Sequence, residues 1–180
     1  LKTGKYRFVC LGGAVKHENY QPVKVDPFGD DWIIFPVDGY GTQDLIRTLL
    51  INHKPDILWF MTDPRFYGWL WEMENEIRST VPMVYYHVWD NYPYPEFNNV
   101  WYSSNDAVVT ISKVTSDIVR TVSPDVEEYY LPHAVNTELF KKLPTDDVRE
   151  FRKNSLGDTD KLLFFWNNRN ARRKQSGSLA

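Results

Sequence analysis

One cysteine, Cys10, is all that this 180-residue chain contains. An internal disulfide is therefore excluded, and so is any zinc or iron–sulfur site built on paired thiolates. The four histidines are scattered without ligand spacing, so no metal is expected. Basic charge is not in excess: 21 Lys and Arg stand against 24 Asp and Glu, a net charge of −3 that gives no overall field for nucleic acid. No apolar run approaches the length of a membrane span. No Asn-x-Ser/Thr sequon occurs, and the opening Leu1-Lys2-Thr3-Gly4-Lys5 is polar, unlike a secretory leader. With the lone thiol, these absences point to a cytoplasmic protein. The sequence also lacks a Gly-x-Gly-x-x-Gly turn, a P-loop, a Gly-x-Ser-x-Gly elbow, internal repeats and low-complexity tracts.

What is present is an alternation of short apolar runs and amphipathic stretches. Runs at 7–11, 32–37, 56–61, 83–88, 107–111, 128–131 and 161–166 read as strands, most of them continuously apolar, as in a parallel sheet buried on both faces. Between them, residues 43–52 after Thr42, 66–78, 113–122 after Ser112 and 146–154 before Gly157 read as helices. In the third of these, Val114, Ile118, Val119 and Val122 form the expected apolar face, and Thr115 falls off it. The fold class expected is α/β: a Rossmann-like, doubly wound, mostly parallel sheet holding the first six runs. The segment 139–145, with Lys141-Lys142-Leu143-Pro144, reads as an interdomain linker, leaving the seventh run outside that sheet.

Ligands of open α/β sheets bind beyond the carboxyl ends of the strands. The polar groups there include Gly12-Gly13, Asp38-Gly39-Tyr40-Gly41, Asp63, His87, Asp90, Ser112, His133 and Asn136. The strongest local signal is Asn167-Asn168-Arg169-Asn170-Ala171-Arg172-Arg173-Lys174-Gln175, a basic loop after an apolar run and before an expected helix start. Arginine forks, a lysine charge and helix-start N–H groups together suit a diphosphate; a solvated basic turn is the plain alternative.

The arrangement Arg169-Asn170-x-x-Arg173-Lys174 resembles the start of the donor domain in retaining glycosyltransferases of the GT-B fold, family 4 (glycosyltransferase group 1). Asn168 and Gln175 stand where the usual loop has glycines, as in an Arg-Asn-x-x-Arg-Lys subgroup. Upstream, Leu131-Pro132-His133-Ala134-Val135-Asn136-Thr137-Glu138-Leu139-Phe140 is similar to the segment that closes the first domain of that family, and Ala107-Val108-Val109-Thr110-Ile111-Ser112-Lys113 to its strand ending in Ser. The resemblance implies an N-terminal acceptor-side domain over 1–140, lacking its first strand–helix unit, and a linker plus the truncated start of the nucleotide-sugar-binding domain over 141–180. Both chain ends read as cut.

It further implies that Arg169 and Lys174, with Arg173 in the subgroup, bind the donor diphosphate. His87 is the implied catalytic group, its plain alternative being a partly buried His satisfied by backbone; Asp90 either assists it or caps the next turn, and Asp63, Ser112, His133 and Asn136 are substrate or hinge residues. The parent enzyme is then expected to transfer a sugar from a nucleotide-diphosphate sugar to a glycan or other hydroxyl acceptor with retention. The resemblance implies no cofactor and no catalytic metal, no nucleic-acid partner, and a parent able to associate peripherally with membranes. For Ser112 a helix N-cap is the preferred role, and Asp63-Pro64 also fits a turn. Trp89, Tyr92, Tyr94 and Trp101 suit either glycan stacking or packing. Two rival classes are a different Rossmann-like nucleotide or sugar-phosphate enzyme, which predicts an early Gly-x-Gly-x-x-Gly, and a non-enzymatic two-lobed ligand-binding protein, which predicts an export signal.

Overall fold

A computed structural model describes residues 1–13, 17–157, 160–169 and 171–178. The chain divides into two units, Leu1–His133 and Ala134–Ala180. The first is α/β. It contains β1 (Phe8–Gly12), β2 (Val23–Val25), β3 (Gly29–Pro36), α1 (Gln43–His53), β4 (Leu58–Met61), α2 (Gly68–Trp71), α3 (Glu74–Arg78), β5 (Met83–His87), α4 (Asn99–Ser103), β6 (Ala107–Thr110), α5 (Lys113–Val122) and β7 (Glu128–Tyr130). The second contains α6 (Thr145–Leu156) and short 3₁₀ turns.

The six expected strands do not share one sheet. β4-β5-β6-β7 form an all-parallel sheet, whereas β1 and β3 pair in parallel with each other in a separate sheet, order β1-β3-β2. β2 adds antiparallel to β3 with a register shift at Lys24/Val25. Val23-Lys24-Val25 does alternate apolar and polar, but three residues after Pro22 are too few for that alternation to mark a strand in the sequence. β1 and β4 are each the end strand of their sheet.

Helices flank the parallel sheet on one face. Phe60, Met83, Tyr85 and Val108 point to that face and join one apolar cluster with Ile46 of α1, Leu70 and Trp71 of α2, Ile77 of α3, Tyr102 of α4, and Ile118, Val119 and Val122 of α5. Fully burying each such aliphatic side chain contributes about 1.5–3 kcal/mol. The alternate residues Trp59 and Met61 of β4 remain about half exposed, 49% each. Burial on both faces, expected from continuous apolar runs, is therefore not what β4 shows: a run apolar at every position cannot report which face is covered.

Local capping is legible. Thr42 and Ser112 accept N–H bonds from Leu45 and Thr115 at the starts of α1 and α5, and Gly157 ends α6 in the left-handed region. The expected helix 66–78 is instead a 3₁₀ turn (Pro64–Phe66), α2 and α3. Trp71 lies off the stripe of Leu70, Met73 and Ile77, and the break at Met73 (φ −109°, ψ 18°) lets all four reach the core. In α5 the outcome for two neighbours reverses the expectation: Thr115 is buried and Val114 is exposed. Thr115 Oγ1 donates to the Trp89 carbonyl at 2.9 Å, a bond that a valine could not make.

In the second unit, residues 161–166 form no strand. No partner ladder lies beside them among the described residues, and Phe164 is 82% exposed. An apolar run supplies side chains for a sheet but not the neighbouring backbone that makes it one. α6 has no buried residue. Among the described residues no helix is long and apolar enough to cross a membrane.

Candidate functional site

The carboxyl ends of the parallel sheet carry the rim that the topology singles out. β4 delivers Thr62 and Asp63, β5 delivers His87 and the loop through Asp90, β6 delivers Ser112, and β7 leads to His133. Beside them, β1 and β3 end in Gly12-Gly13 and Asp38-Gly39. A Cβ on Gly13 would lie 2.0 Å from the Gly39 carbonyl oxygen, so these two loops meet backbone to backbone, an approach open only to glycine.

His87 is the centre of a buried polar chain. It is 0% exposed, with Nδ1 3.0 Å from the Tyr85 hydroxyl and Nε2 2.7 Å from the Tyr102 hydroxyl. Tyr85 and His87 stand two apart on β5 and therefore share a face. The protons can be assigned by counting. Tyr85 donates its only hydroxyl proton to the Thr62 carbonyl at 2.6 Å, so it must accept from His87 Nδ1–H. Nε2 is then the acceptor, and Tyr102 donates to it while accepting from Asn98 Nδ2–H at 3.2 Å. One neutral tautomer satisfies every member, and a second proton on His87 would set Nε2–H against the Tyr102 O–H. Burial holds His87 at about 4, against a smaller opposing pull from Asp63. Burial also pushes the Tyr102 hydroxyl up to about 12 and raises that of Tyr85, so both remain protonated donors.

The other expected site residues are distributed unevenly. Asp63 caps the Pro64–Phe66 turn through Arg65 N–H at 3.0 Å and forms a two-pronged pair with Arg65 at 2.9 and 2.7 Å. That guanidinium holds the Asp63 carboxyl below its ordinary range. Ser112 is the N-cap of α5 and also lies 2.9 Å from Thr115 Oγ1. Asp90 is exposed three residues beyond His87. His133 is exposed and stacks on Tyr86 at 5.4 Å. Of the loop aromatics, Trp101 stacks on Trp71 at 5.0 Å and belongs to the core, whereas Tyr92 is 89% exposed. Trp89 carries a buried indole N–H that finds no partner among the described residues, an exception to the usual satisfaction of buried donors.

Asn136, Arg169, Arg173 and Lys174 belong to the second unit. Asn136 Oδ1 accepts from Glu138 N–H at 3.0 Å in a turn that leads to Phe140. Arg169 and Arg173 are exposed, Lys174 is half-buried, and Arg172–Lys174 form a single 3₁₀ turn rather than the start of a longer helix. Asn170 lies outside the described residues.

Tyr85, Tyr102 and Asn98 were not singled out in the sequence. The alternation Tyr85-x-His87 on a strand could have revealed the first; nothing local links Tyr102 or Asn98 to His87. Among the described residues, no group of three or more His, Cys, Asp or Glu side chains converges to hold a metal. Comparison with known proteins finds no matching family model, no matching characterised protein and no matching solved structure.

Proposed function

We propose that the chain is the acceptor-side domain, with the start of the donor-side domain, of a family 4 glycosyltransferase of the GT-B fold. The parent enzyme transfers a sugar from a nucleotide-diphosphate sugar to a hydroxyl acceptor with retention. One observation carries this reading: segments 131–140 and 169–174 stand in the family's order, downstream of a four-stranded parallel sheet flanked by helices. The finer fold statement, a Rossmann-like, doubly wound arrangement, belongs to the same reading.

Arg169 and Lys174 hold the diphosphate, with Arg173 assisting, and their charge opposes the charge that builds on the departing nucleotide. His87 serves as a positioning residue in this proposal. Both its ring nitrogens are committed, and through Tyr85 it fixes the Thr62 carbonyl beside Asp63. Asp90 and His133, both exposed, are left to meet the acceptor. The test is to supply the parent enzyme with nucleotide-diphosphate sugars of each common nucleotide and a panel of hydroxyl acceptors. Nucleoside diphosphate release and the anomeric configuration of the product are followed by NMR. Transfer with retention is expected; no transfer from any donor, or an inverted product, removes the proposal.

A further inference from the structure

Beyond the carboxyl ends of β1, β3 and β4 lies a cavity of about 190 Å³. It sits where the chain, having built β1 and β3, passes through α1 to begin the parallel sheet at β4. Its lining therefore comes from the carboxyl ends of strands in both sheets, the side on which α/β folds bind ligands. Leu11, Val37 and Met61 give it apolar walls, and Gly13 and Gly39 line it with backbone. Tyr40 and Tyr67 complete the lining. These two rings are held from behind: Tyr40 stacks on Phe66 at 4.7 Å and meets Tyr67 edge-on at 5.7 Å, and Tyr67 packs edge-on against Phe60 of the core at 5.1 Å. Burial, then Tyr40, pushes the Tyr67 hydroxyl up, so it stays a donor.

Among the described residues, none that lines the cavity is ionisable to a charge near neutral pH. The nearest carboxylate along the chain, Asp38, already accepts the Tyr20 hydroxyl at 2.6 Å. A charged ligand would lose hydration here without a compensating partner. The volume is also below the roughly 300–1,000 Å³ that drug-sized ligands occupy, so it suits one ring. A pyranose presents apolar C–H faces and polar edges, matching aliphatic and aromatic walls that carry a few hydroxyl and backbone groups.

We propose that this cavity binds one uncharged, hydroxyl-bearing ring of hexose size. Its role as the acceptor end of a transfer rests on the glycosyltransferase reading; the binding itself does not. The chain has three methionines, and only Met61 lines the cavity, Met73 and Met83 being buried in the core. Methyl-labelled methionine NMR on the 180-residue chain therefore locates binding without a variant. Methyl hexosides of gluco, galacto and manno configuration are added at millimolar concentration, beside the corresponding phosphorylated hexoses and phenol. At least one neutral hexoside should shift the Met61 methyl and leave Met73 and Met83 in place, and the phosphorylated sugars should not. Tyr40→Ala, with its fold checked by circular dichroism, should abolish the shift. No Met61 shift with any hexoside overturns the proposal, as does an equal response to a phosphorylated sugar, a response to phenol alone, or a shift that survives in folded Tyr40→Ala. Hexoside binding in a protein whose parent transfers no sugar would leave the cavity assigned and remove the transferase reading. Transfer without any Met61 shift would do the reverse.

Discussion

At the scale of single residues, His87 makes the sharpest thermodynamic statement. Its ordinary value near 6.5 falls to about 4 in the fold, mainly through burial. Between these values the unfolded chain takes up a proton that the folded chain refuses, so stability rises with pH across the window. The contribution is complete above about pH 6.5 and is lost as pH falls towards 4, reaching about 3 kcal/mol. Urea unfolding followed through that range should show the slope, and His87→Gln should flatten it; an unchanged slope in the variant would place the titration elsewhere. The basic loop gives a second residue-scale expectation, which holds for the parent under the proposed transferase reading. Lys174→Ala and Arg169→Ala should lower kcat by about 100- to 1000-fold, as loss of one preorganised charge does at other sites. Arg172→Ala, which lacks the family spacing, should cost least, with Arg173→Ala between. Steady-state kinetics and melting temperatures decide this: equal losses at Arg172 and Lys174, or lowered melting temperatures alone, return the loop to a solvated turn.

At the scale of elements, α5 and the two glycine loops are the informative pieces. Ser112→Ala removes the cap bond to Thr115 N–H and should cost about 1 kcal/mol, read as a lower urea midpoint at unchanged m. Gly13→Ala is a different kind of change, because it forces apart the turns after β1 and β3. Overpacking of that sort costs about 1–3 kcal/mol. Gly39→Ala meets no atom within 4 Å but sits at φ +60°, so it tests backbone strain alone. A destabilisation at Gly13 no larger than that at Gly39 would mean that the close approach of the loops is not what fixes this rim.

For the whole molecule, the two units should behave unlike one another. Amides of β5 and β6, central in the parallel sheet, should be the slowest to exchange with deuterium. Residues 162–166 have no ladder among the described residues and are largely exposed, so their exchange should be far faster than that of β5 and β6. Protection there equal to that in β5 would contradict the arrangement. On the proposed transferase reading, the 180-residue chain alone should show no sugar transfer, since aligning donor and acceptor contributes up to about 7–11 kcal/mol of barrier lowering. Measurable turnover by it would sink that expectation.

The α/β class, six of the strands to within a few residues, and the caps at Thr42, Ser112 and Gly157 are legible in the chain alone. These follow from apolar period, side-chain oxygens at helix starts and glycine's access to positive φ, all of which act over a few neighbours. The chain alone also supplies the order of the segments on which the proposed function rests. Pairing and coverage emerge only in the folded chain: β1 and β3 stand in a sheet apart from β4–β7, one face of β4 stays about half exposed, and 161–166 gains no ladder among the described residues. His87 shows the same division. Its position at a strand end was legible, but its burial between Tyr85 and Tyr102 was not, because Tyr102 reaches it from fifteen residues away through α4. Hydrogen bonds and burial across such distances depend on which surfaces meet, and a linear pattern records only which surfaces are available to meet.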